Sequence, residues 1–149
     1  MSCTRYALLA LLISVAGIPA RAQAPSPQLA AKAFVEICMK TAPTFVDAPE
    51  AAKRYDIAKF TISAVGNKLG VSKDDSLIVQ IREGKECIVD MPPIPTDAFP
   101  LLFTSEVSKF IRQALPPVVP FRVKVGEVEF LFNYESRGFH RLLMMKTDA

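Results

Sequence analysis

The chain reads as an α+β domain: an antiparallel sheet of about five strands with amphipathic helices packed on one face and one disulfide, Cys38 to Cys87. Three features of the sequence predict it. Apolar residues recur at intervals of three and four in the stretches around Phe34 and Phe103. Elsewhere apolar and polar residues alternate, and the alternation is interrupted by short Gly-containing polar loops that suit hairpins. Hairpins make a sheet antiparallel, and amphipathic helices need an apolar surface to cover. Outside the leader segment the cysteines number two, an even pair.

The chain opens "MSCTRYALLALLISVAGIPARAQAPSP", which begins with a leader. Arg5 is the cation of a short n-region, Tyr6 to Ile18 carries no charge, and Pro19 breaks the run before small residues spaced for signal peptidase. Ala20-Arg21-Ala22 would release a chain beginning at Gln23. The other site, Ala22-Gln23-Ala24, would place Pro25 directly after the cut, where its ring fits a protease poorly. Cleavage after Ala22 is therefore expected, leaving 23–149 as a single secreted domain, periplasmic or released. The apolar run is shorter than the roughly 18 residues an anchor needs to cross hydrocarbon. Cys3 precedes that run instead of ending it, which argues against a lipoprotein.

Removal of the leader takes Cys3 with it and leaves Cys38 and Cys87 in an oxidising space. Their positions, 38 and 87, close a loop of 49 residues, which in the chain-entropy model stabilises the fold by about 4 kcal/mol. A redox pair normally reads Cys-x-x-Cys, which is absent here. One histidine in the chain is too few for a metal site of the usual kind, and neither a metal nor a cofactor is expected.

Without the 22-residue leader the 149-residue chain keeps 127 residues, the size of one domain. Its 18 basic residues become 16 once Arg5 and Arg21 are gone, against 15 acidic ones. Nucleic-acid binding needs a concentrated positive face, and a polybasic membrane surface needs the same. Neither is supported, and stable membrane insertion after cleavage is not expected.

Ser26 followed by Pro27 reads as an N-cap and first helical residue. The stripe Ala30, Ala33, Phe34, Ile37 and Cys38 predicts a helix over 27–40, limited by Pro43. Asp47 with Glu50 three residues on resembles a capping box, opening a second, shorter helix to about Ala58. Residues 59–76 carry no clear pattern. Leu77, Val79 and Ile81, then Cys87, Val89 and Met91, predict a hairpin around Glu83 to Glu86, with Cys87 facing the first helix; "MPPIP" ends its second strand.

The third helix is the best marked, with Asp97 as cap and Phe99, Phe103, Val107, Phe110, Ile111 and Ala114 along one face until Pro116. In "PFRVKVGEVEFLFNY" the apolar set switches from odd to even positions at Gly126. A two-residue loop at Gly126-Glu127 of type II′ returns all of them to one face, although a bulge would restore the phase too. "ESRG" turns the chain into a last strand, 139–146.

Chemistry is sparsely marked. "GNKLG" lacks the order of a phosphate-binding loop and reads as a turn. His140 sits among Arg137, Arg141, Glu135 and Tyr134, which suggests either an acid/base histidine or an anion-binding patch, or simply a polar hairpin tip. Glu36 lies on the solvent edge of the first helix. The expected function is a non-enzymatic binding or protein-interaction module. Its partner would be a protein or a small apolar ligand, its surface Phe99, Phe103 and Phe110 with Arg137, His140 and Arg141. The alternatives are an envelope hydrolase using His140 with Glu135 or Arg141, and an envelope assembly factor acting through a sheet edge.

Overall fold

The computed structural model describes residues 26–147; the leader and both candidate cleavage sites lie outside them. Ser26 caps the first helix, α1 (Pro27–Ile37), its hydroxyl accepting the Leu29 amide hydrogen at 3.1 Å with Pro27 in the first turn. The helix stops three residues short of Lys40, because Met39–Thr41 tightens into a 3₁₀ turn in which the Thr41 hydroxyl bonds back to the Ile37 carbonyl at 2.5 Å. The second helix, α2 (Ala48–Ala52), is shorter than expected and continues as a 3₁₀ turn over Lys53–Tyr55, ending where Asp56 turns left-handed. Asp47 stands at its N-cap without a side-chain capping bond. The third, α3 (Phe99–Ile111), begins after Ala98 and not at Asp97, and ends at left-handed Arg112.

Seven strands, not five, form one antiparallel sheet: β1 (Phe60–Ile62), β2 (Lys68–Val71), β3 (Ile78–Arg82), β4 (Glu86–Met91), β5 (Phe121–Val125), β6 (Val128–Ser136) and β7 (His140–Lys146), in the order β1-β2-β3-β4-β7-β6-β5. The two unforeseen strands come from residues 59–76. Their alternation is hidden because the inward position of β2 is Gly70, where a Cβ would approach Ile57 Cγ2 to 2.5 Å and the Phe60 ring to 2.7 Å. Packing from a neighbour fills the place a side chain would mark. The "GNKLG" stretch is a turn only as far as Asn67, with Lys68 to Gly70 extended in β2.

The chain runs through β1 to β4 as a meander, crosses by α3 to the far edge, and returns through β5 and β6 until β7 lies beside β4. The β5–β6 hairpin pairs Val125 with Val128, Val123 with Phe130 and Phe121 with Phe132. Gly126 has φ +63 while Glu127 is not left-handed, the sign pattern of a type II′ turn. All six apolar residues thus share one face.

That face joins a single core containing Phe34, Ile37, Phe99 and Phe103 from α1 and α3 with Val79, Val89 and Leu142 from the sheet. Helix α1 packs against α3 and β4. Cys38 and Cys87 are bonded, with Cα atoms 5.5 Å apart and both side chains fully buried. Cys87 faces inward with Val89 and Met91, as its alternation requires. No helix among the described residues is long and apolar enough to cross a membrane.

Candidate functional site

Strand β7 separates the residues that the sequence grouped. Neighbours along a strand point to opposite faces, so His140, Leu142 and Met144 turn to the core while Arg141, Leu143 and Met145 turn away from it. The register places His140 opposite Ser136 and Arg141 opposite Glu135. Histidine and the Glu135/Arg141 pair are therefore divided by the thickness of the sheet. Arg137 is apart from both, exposed in the turn between β6 and β7 beside Phe139.

His140 is 4% exposed and lies in an aromatic stack. Its ring centre is 4.9 Å from that of Phe99 with planes 17° apart, and 6.0 Å from that of Tyr134 at 10°. Both ring nitrogens are engaged: Nδ1 is 2.7 Å from the Tyr134 hydroxyl, and Nε2 is 2.9 Å from the Ile94 carbonyl oxygen and 3.2 Å from the Ile94 amide. With Nε2 protonated, the ring donates to the carbonyl and accepts from Tyr134. With Nδ1 protonated, it donates to Tyr134 and accepts from the Ile94 amide. Either neutral tautomer satisfies both nitrogens, as a buried polar ring requires. The ring thereby fastens the "MPPIP" segment after β4 to the β7 strand.

Phe99 and Phe103 are fully buried, and Phe110 is half-buried. Phe103 meets Phe34 edge to face at 5.1 Å and lies 6.0 Å from Phe121 and 6.5 Å from Phe132. These are core contacts of the ordinary aromatic kind.

On the other face Asp90 of β4 is 3% exposed. The Arg141 guanidinium grips it with two bonds, Nε to Oδ1 and Nη2 to Oδ2, each 2.8 Å, and Gln80 Nε2 donates to Oδ2 at 3.0 Å. This hydrogen bonding raises the pKa of Arg141 further above its already high value, so the guanidinium keeps its charge. Neither Asp90 nor Gln80 was singled out in the sequence; the outward parity of Asp90 in "ECIVDM" was the available signal. We expect Arg141→Leu to cost about 2–3 kcal/mol in urea unfolding, because it leaves a buried carboxylate with Gln80 alone. Arg141→Lys should recover only part, lacking the planar fork.

Glu36 lines a shallow cleft of about 520 Å³ with Lys40, Asp47, Glu50 and Arg54, lying 3.6 Å from Lys40 and 3.7 Å from Arg54. Burial, then the Glu36 charge, push the pKa of the neighbouring Tyr55 hydroxyl up, well past the usual tyrosine range. The folded chain thus keeps a proton that the unfolded chain releases above about pH 10. Because the native state binds more protons there, stability falls as pH rises past that point. Thermal unfolding scans at alkaline pH should show this decline, and Tyr55→Phe should flatten it.

No group of three or more His, Cys, Asp or Glu residues among the described residues could hold a metal ion. Comparison of the chain with protein-family models, with curated proteins and with solved structures returned no match.

Proposed function

We propose that this chain is an exported, non-enzymatic protein-interaction module of the periplasm or secreted fraction, with helices covering one face of its sheet and a protein partner engaging what they leave free. The observation that carries the reading is how the candidate residues are spent. His140, Phe99 and Phe103 are buried in ring contacts with one another's neighbours, so aromatic side chains occupy the interior between α3 and the sheet. That close packing favours a protein partner over a small apolar ligand. The division of His140 from Glu135 and Arg141 by the sheet supports a binding role over acid/base chemistry, which needs its groups on one side.

The leader, the buried Cys38–Cys87 bond and the near balance of charge in the rest of the chain support export to an oxidising space without nucleic acid as a partner. The test is cross-linking of the processed protein in its own envelope fraction, followed by binding measurements with each captured protein purified separately. A saturable complex between two pure components is the expected result. Failure of every purified candidate to bind, together with a small molecule retained in native mass spectrometry, would overturn the reading.

A further inference from the structure

Among the described residues strand β5 ends the sheet, paired on one side only with β6. The two-residue turn makes Val125 and Val128 the hydrogen-bonded pair next to the loop, and such pairs alternate along an antiparallel ladder. Val123 and Phe121 therefore also bond to β6, while Arg122 and Lys124 stand at the positions that do not. The partner side agrees: the Glu129 carbonyl, opposite Lys124, accepts instead from the Thr147 amide at 3.1 Å. The backbone N–H and C=O groups of Arg122 and Lys124 point out of the sheet, and both residues are exposed. No hydrogen bond among the described residues takes those groups.

The charges at this edge choose the occupant. A second copy pairing through the same groups would set Arg122 and Lys124 against the same cations of its twin, which a ladder resists. An incoming strand with carboxylates at those positions would meet them favourably. Arg122 shares its charge with Glu129 at 3.3 Å, and Lys124 has no ion-pair partner among the described residues. The intervening residues of such a strand would fall beside Phe121, Val123 and Val125, which face the core, and would need to be apolar. The opposite edge, β1, has three residues and offers a shorter ladder.

We infer that the β5 edge is a docking site for an extended protein segment alternating acidic and apolar residues, which adds to the sheet as a further strand with its carboxylates against Arg122 and Lys124. This rests on the interaction-module reading and names the partner's chemistry. The probe is a fluorescein-labelled peptide alternating glutamate and valine, with a lysine–valine peptide as control, read by anisotropy on the processed, disulfide-bonded protein. The glutamate peptide should bind, more weakly as salt rises, and the control should not. Lys124→Pro removes an outward N–H while sparing the β6 ladder, and should weaken binding about fivefold or more, as loss of a hydrogen bond and a charge together implies. Should that variant unfold, the double charge reversal Arg122→Glu with Lys124→Glu serves, and it should transfer preference to the lysine peptide.

No binding of the glutamate peptide, or equal binding by both reversed and unreversed edges, overturns the assignment. So does a dimer, seen by sedimentation, that Lys124→Pro abolishes, since the occupant would then be a second copy. A partner from the envelope fraction that binds wild type and Lys124→Pro equally would remove this edge yet keep the module. No partner at all would remove both.

Discussion

Phe103→Ala will lower the unfolding free energy by about 3–5 kcal/mol, the range for truncating a buried phenylalanine. The ring is fully buried and sits where α1, α3 and the sheet converge, against Phe34, Phe121 and Phe132. Nothing small can refill that volume, because Phe34 and Phe132 are themselves held 6.2 Å apart at 68°. Urea titration with two probes, far-ultraviolet dichroism and tyrosine fluorescence, measures the loss. Phe103→Leu should cost distinctly less by leaving a smaller cavity. A Phe103→Ala variant within about 1 kcal/mol of wild type would mean that the aromatic cluster is not the centre of the core.

Breaking the Cys38–Cys87 bond will have an effect of the same order. The bond closes 49 residues, a loop spanning the end of α1, α2 and the first four strands up to Cys87. Its chain-entropy contribution is about 4 kcal/mol, with real bridges commonly giving about 2–4. The paired substitution Cys38→Ala with Cys87→Ala separates this contribution from reductant effects, since alanine leaves only small cavities at two buried positions. Chemical unfolding of the variant beside the oxidised protein should show the midpoint falling and the slope rising, because the unfolded chain without its cross-link exposes more surface. Total stability for a domain of this size is about 5–15 kcal/mol, so the variant should also be more readily cleaved by proteases.

The parts of this fold legible in the sequence were those with a period. The stripes of α1 and α3, the β3–β4 hairpin and the parity switch at Gly126 each left a repeat that one physical cause explains. Strands β1 and β2 did not, because Gly70 stands where an inward side chain would have marked the repeat and Phe60 fills the space from the neighbouring strand. Helices α1 and α2 end before their expected limits because 3₁₀ turns take over, and α3 starts one residue past the position Asp97 would cap, without a side-chain cap. The candidate site residues lie on two faces for a simpler reason. His140 and Arg141 are adjacent in a strand, and alternation alone sends them to different faces, so nearness in sequence is not nearness in space. The Asp90–Arg141 clamp could not be read without the register that sets β4 beside β7, a pairing across about 50 residues that no local pattern encodes.

The position of β7 carries a consequence for how the molecule is made. The last of the described strands in chain order is an interior one, with β4 on one side and β6 on the other. Until it arrives, the early meander and the late hairpin have no ladder between them, and α3 spans the gap with nothing to close. A chain of this order gains little by folding during synthesis, and its long-range pairings are of the slow kind. The sheet is knitted shut from its middle, when β7 seats itself between parts made before it.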